Sequence, residues 1–120
     1  MKKVLIVDDA AFMRKTLSLM LSEKDYEIVG EATNGKMALQ KIRALKPEIV
    51  FLDITMPEMG GLECLAQIMK TDNKPIVVIV SAMAQKENVI KAVSMGAKDF
   101  IVKPFSKEAI ENALKKIDLH

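Results

Sequence analysis

Short apolar blocks and longer amphipathic stretches alternate along the chain. Val4–Val7, Ile49–Leu52 and Ile76–Val80 are unalternating and rich in β-branched residues, as strands covered on both faces should be. Two weaker blocks, Ile28–Val29 with its Gly30–Glu31 tail and Phe100–Val102, read as edge strands. Helical spacing fills the intervals. Met13, Leu17, Met20 and Leu21 fall on one helical face, and Ile110, Ala113, Leu114 and Ile117 repeat that pattern near the end of the chain. Ala38, Ile42 and Leu45 mark a second helix, Leu62, Leu65 and Met69 a third, and Val89, Ile90 and Val93 a fourth. Asn34 and Ser106 are suited to cap helix N-termini, and Pro47 stops the second helix.

Five strands alternating with five helices predict an α/β fold, a single doubly wound five-stranded parallel sheet. Right-handed crossovers place helices on two faces. Three strong strands inside and two weak ones outside suit the order 2-1-3-4-5. No linker, repeat or low-complexity tract interrupts the pattern, so residues 1–120 read as one domain with no output domain attached. Its expected radius of gyration is about 14 Å.

Composition narrows the chemistry. Half of the 120 residues are apolar and 28% charged, ordinary for a folded globule. Cys64 is the sole cysteine and His120 the sole histidine, which excludes a disulfide framework, a Cys-based zinc site and a His-dependent triad. The net charge is +2, with no basic block to read as a nucleic-acid footprint. The apolar run after Lys2–Lys3 stops at Asp8–Asp9, too short for a signal peptide, and no stretch is long enough to span a membrane. A cytoplasmic monomer is the expectation.

In such a sheet, ligands bind beyond the carboxyl ends of the strands, where the strand order reverses. The first strand ends in Asp8–Asp9, the third in Asp53, the fourth in Ser81–Ala82 and the fifth in Lys103–Pro104. An Asp after a strand is ordinarily a turn residue or helix cap, and Asp9 alone could cap the first helix. Successive strand ends carrying acids, a hydroxyl and an ammonium are another matter. Two carboxylates about 4 Å apart repel by roughly 4 kcal/mol at an effective dielectric of 20. A hard divalent cation with oxygen ligands, Mg²⁺ above all, removes that conflict. The cation and Lys103 together favour an incoming phosphoryl group. Asp53, central in the set, is the candidate nucleophile, since a carboxylate can form an acyl phosphate. Gly60–Gly61 and Asn34–Gly35 read as turn chemistry, the nine methionines as core fillers and Cys64 as a small core residue.

These residues resemble the receiver domain of two-component response regulators over essentially the whole chain. The matching pieces are Val4–Asp9, Asp53–Gly61, Ser81–Ala82, Gly96–Ala97 and Lys103–Pro104–Phe105. With nothing following the fifth helix, the likeness is greatest to stand-alone chemotaxis members. The family's flavodoxin-like fold has the same 2-1-3-4-5 strand order. The resemblance implies that Asp53 accepts a phosphoryl group from a phosphohistidine on a sensor histidine kinase, making the protein a switch rather than a turnover enzyme. Asp9 and Asp53 would ligate Mg²⁺ with the Thr55 backbone carbonyl, and Asp8 would act largely through water. Lys103 would pair with the phosphoryl oxygens, its bond to Pro104 being cis. Ser81 would donate to the phosphoryl group and Phe100 would turn inward as Ser81 moves. The face of helix 4, strand 5 and helix 5 would then meet an output protein, a flagellar motor switch or a phosphatase. Phe100 stands where many chemotaxis members carry Tyr, and Ser81 where Thr is common. Thr55 and Met83 would tune phosphate lifetime.

Alternative functions are a phosphate sink or phosphorelay intermediate, a Mg²⁺-dependent phosphatase with an aspartate nucleophile, and a flavin or dinucleotide binder. The phosphatase class carries its second Asp two residues after the nucleophile on the first strand, whereas here the pair is adjacent. The nucleotide binders need a glycine- or hydroxyl-rich loop where Asp8–Asp9 stand.

Overall fold

The computed structural model describes residues 2–54, 60–72, 74–82 and 85–118, the last without its side chain. Strands and helices alternate without exception: β1 (Lys2–Val7), α1 (Ala11–Ser22), β2 (Tyr26–Ala32), α2 (Gly35–Leu45), β3 (Ile49–Leu52), α3 (Gly61–Ile68), β4 (Ile76–Ser81), α4 (Lys86–Ser94), β5 (Asp99–Val102) and α5 (Lys107–Asp118). All strand pairs are parallel and the order is β2-β1-β3-β4-β5, as the two weak apolar blocks required. The radius of gyration is 12.7 Å.

The pleat explains why the three central strands are apolar throughout. Val4, Ile6, Ile49, Phe51, Val78 and Val80 face α1 and α5, where they meet Leu17, Leu21, Ile110, Ala113 and Ile117. Leu5, Val7, Val50, Leu52, Val77 and Ile79 point the other way, onto Ala38, Ile42, Cys64, Leu65, Ile68 and Ala92 of α2, α3 and α4. Consecutive side chains therefore serve two separate cores.

The expected punctuation holds. Asn34 Oδ1 accepts from the Met37 amide at 2.8 Å and Ser106 Oγ from the Ala109 amide at 3.1 Å, each satisfying a donor that the first helical turn leaves unpaired. α2 ends at Lys46 in the left-handed conformation, directly before Pro47.

One expectation needs correction. β2 is longer than its apolar block because pairing with β1 recruits Tyr26 and Glu27, and the register slips between Val4 and Leu5 so that Val29 is skipped. α4 forms where Val89, Ile90 and Val93 marked a helix, and Ala92 is its residue turned to the sheet. Ala92 is fully buried, Val89 is intermediate, and Ile90 and Val93 are 56% and 51% exposed. A small residue lets the helix axis lie close to the sheet, and the bulkier side chains then face away. Apolar spacing marks the helix and leaves its rotation about its own axis to packing.

Candidate acidic phosphoryl site

The carboxyl ends of β1, β3 and β5 bring four charged side chains together. β1 stops where Asp8 and Asp9 leave the sheet, and its neighbour β3 stops at Asp53, whose amide donates to the Val7 carbonyl at 2.9 Å. One carboxylate oxygen from each of Asp8, Asp9 and Asp53 lies within 4.8 Å of the others. Asp8 and Asp53 are buried, at 1% and 4% exposure, while Asp9 is exposed and keeps the cluster open to solvent. Asp9 does not cap α1: the N-cap is Ala10, whose own amide is bound by Asp8 Oδ1 at 2.9 Å.

Lys103 reaches the acids from β5. Its amide donates to the Ser81 carbonyl at 2.9 Å, fixing the backbone beyond the last strand. Its Nζ donates to Asp8 Oδ2 at 2.6 Å and to Asp53 Oδ2 at 3.4 Å. Burial by itself lowers the ammonium's pKa. The hydrogen bond to Asp8 and the charges of Asp53 and Asp8 together outweigh it, so Lys103 is held above its ordinary value and stays protonated. The Lys103–Pro104 bond is cis, as expected.

Three acids and one ammonium leave the cluster at −2 if all are ionised. Its donors are hard oxygens, one of the three carboxylates is solvent-facing, and the spacing is short enough for a single ion. That set fits Mg²⁺, which prefers oxygen ligands and retains water. The same arrangement suits phosphoryl chemistry: a buried carboxylate as nucleophile, with a fixed ammonium within hydrogen-bonding reach.

The remaining candidates lie around this centre. Ser81 is fully buried at the end of β4, beside β3. Phe100, on β5 opposite Ile79, is half-buried against the α2–α3–α4 core. Thr55, whose backbone carbonyl was the expected third ligand, and Met83 lie outside the described residues. Composition and spacing had no means of marking Arg14. Its Nη1 donates to the Asp8 main-chain carbonyl at 2.8 Å and its Nε to Glu31 Oε1 at 2.7 Å.

The family model described as the response regulator receiver domain matches residues 4–115. The chain belongs to that family. Among relatives of this receiver, the chemotaxis protein CheY of Thermotoga maritima is 52% identical over 116 residues, 97% of each chain. The chemotaxis protein CheY of Listeria monocytogenes is 53% identical over 116 residues, 97% of this chain and 98% of that one. Among solved structures, the CheX–CheY–BeF3–Mg²⁺ complex from Borrelia burgdorferi superposes with a TM-score of 0.95 at 34% identity, covering 99% of this receiver and 90% of that chain. The protein is thus a signalling receiver closely related to the CheY chemotaxis regulators. Receiver domains bind Mg²⁺ at an acidic pocket, and Asp8, Asp9 and Asp53 form such a pocket here.

Proposed function

We propose that this receiver is a phosphorylation-activated switch of chemotaxis in which Asp53 is the acceptor. The observation that carries the reading is the meeting of Asp53 with Asp8, Asp9 and the Lys103 ammonium at one buried rim. A carboxylate oxygen of Asp53 attacks the phosphorus of a kinase phosphohistidine; the P–O bond forms as the P–N bond breaks, and the imidazole leaves with the electron pair. Asp9, Asp53 and the Thr55 carbonyl would hold Mg²⁺, with Asp8 acting largely through water, and the ion would neutralise charge on the transferring group. Lys103 moves its hydrogen bonding from the carboxylates to the new phosphoryl oxygens, and the Ser81 hydroxyl donates to them as well.

An apolar opening lined by Phe12, Met13, Ala82, Pro104 and Phe105 lies beside Lys103 and leaves the acidic site open to a phosphodonor. On the output side, Ile90, Val93 and Val102 leave an apolar strip on α4 and β5, each about half exposed. That strip receives the output protein, a motor switch or a phosphatase, once Phe100 turns inward. Moving a two-state equilibrium from 1:99 to 99:1 takes about 5.5 kcal/mol of preference. The phosphoryl dianion supplies it through Lys103, Ser81 and the cation. Among the described residues no helix is long and apolar enough to cross a membrane, and the relation to the CheY regulators supports a switch working in the cytoplasm.

Phosphotransfer from a labelled histidine kinase tests the reading. The protein should take up label in Mg²⁺ and little when Mg²⁺ is chelated beforehand, and Asp53→Asn should take up none. Label retained in Asp53→Asn would refute the assignment.

A further inference from the structure

Arg14 is tied in a way that the phosphotransfer chemistry does not use. It sits on the first turn of α1, its amide donating to the Ala10 carbonyl at 3.1 Å. Its guanidinium leaves the helix in two directions, to the Asp8 carbonyl and to the carboxylate of Glu31 on edge strand β2. Glu31 is anchored independently, because Lys41 on α2 donates to its main-chain carbonyl. Asp8 thus has its carbonyl held by Arg14, one carboxylate oxygen held by the Ala10 amide and the other by Lys103. The two residues of the β1–α1 turn that bear carboxylates are braced from β2, across the edge of the sheet.

We propose that Arg14 is a positioning residue for the cation site: by bridging Glu31 and the Asp8 carbonyl, it holds the β1–α1 turn so that Asp8 and Asp9 face Asp53. The inference rests on the reading of that cluster as the Mg²⁺ site. Arg14 touches no carboxylate of the cluster, so its effect passes through the backbone. Outer partners that orient metal ligands commonly change metal affinity by about 10–100-fold when removed.

Electrostatics and positioning predict opposite signs. Arg14 is a cation beside an acidic cluster, so as a charge alone it opposes Mg²⁺, and its removal would tighten binding. As a brace, its removal loosens the turn and weakens binding. The test is Mg²⁺ titration of the full chain followed by amide NMR, for the wild type, Arg14→Ala, Arg14→Lys and Glu31→Gln. Hydrogen exchange of the Ala10 amide in metal-free protein gives a readout without the ion.

The expected result is about tenfold weaker Mg²⁺ binding in Arg14→Ala, faster Ala10 exchange, and partial recovery in Arg14→Lys, which keeps one donor. Glu31→Gln retains an acceptor and should weaken binding less. Tighter or unchanged Mg²⁺ affinity in folded Arg14→Ala overturns the proposal. Should Arg14→Ala not fold, Glu31→Gln decides: weaker binding with faster Ala10 exchange supports the brace, and wild-type values for both overturn it. Failure of the wild type itself to bind Mg²⁺ would instead overturn the cation site, leaving the two conclusions distinguishable.

Discussion

Two adjacent glycines, Gly60 and Gly61, should respond in opposite ways to the same added methyl group. A Cβ on Gly60 would meet nothing nearer than the Ile54 carbonyl at 3.8 Å, an ordinary contact. A Cβ on Gly61 would stand 2.2 Å from Ile54 Cα and 2.3 Å from the carbonyl oxygen of Asp53. Carbon atoms rest about 3.5–4.0 Å apart, so the methyl at Gly61 intrudes by more than about 1 Å. Every atom it meets is backbone, and no side chain can swing aside. The Asp53–Ile54 peptide must therefore move, or α3 must. Overpacking of this kind costs about 3 kcal/mol, while Gly60→Ala should be neutral or stabilise by about 0.5 kcal/mol by restricting the unfolded chain. A displacement of Asp53 by about 1 Å relative to Lys103 should slow phosphorylation by about a hundredfold. Urea denaturation and the rate of phosphorylation by acetyl phosphate measure the two effects. Wild-type stability and rate in Gly61→Ala would refute the claim that close backbone approach at this glycine sets the position of Asp53, the proposed acceptor.

Two further outcomes follow from the charged and titrating groups. Replacing Lys103 by Met removes the ammonium that pairs with two buried carboxylates, so stability in Mg²⁺-free buffer should fall by about 3 kcal/mol, with part restored by Mg²⁺. Because the folded-state pKa of Lys103 is raised, the wild type should keep its advantage over this variant in urea titrations below pH 10.5 and lose it above. Burial, helped by neighbouring Glu63, pushes the Cys64 thiol up to about 11, so iodoacetamide at pH 8 should label it in urea-unfolded protein and leave the folded protein unmodified. In the unfolded chain the thiol ionises from about pH 8.5. Its contribution to stability is therefore whole below that value and disappears toward pH 11, a loss that Cys64→Ala should not show.

The strands were readable because burial on both faces leaves no polar alternation: Val4–Val7 and Ile49–Leu52 admit no other environment in a chain this short. The site was readable for a related reason. Parallel strands joined by helices put all their carboxyl ends on one rim, so Asp8, Asp9, Asp53 and Lys103 had to approach one another once the topology was right. The α4 helix was legible but its rotation was not, because Ala92 carries no hydrophobic bulk and a helix can turn its larger residues outward when a small one permits close approach. Arg14 looked like one more charged position on an amphipathic helix. Its two bonds depend on the distance from α1 to β2, which local spacing does not encode.

The order of apolar blocks and the residues at their ends determined the fold, the rim and the candidate acceptor, since these follow from local periodicity and from the handedness of connections. The tertiary structure alone decided that Asp8 is buried and bonded to Lys103 while adjacent Asp9 faces solvent, that Gly61 abuts the Asp53 peptide, and that Ile90 and Val93 lie outside. Each of these depends on how far an element is rotated or how closely two backbones approach. Packing among segments distant in sequence sets those quantities, and no local pattern records them.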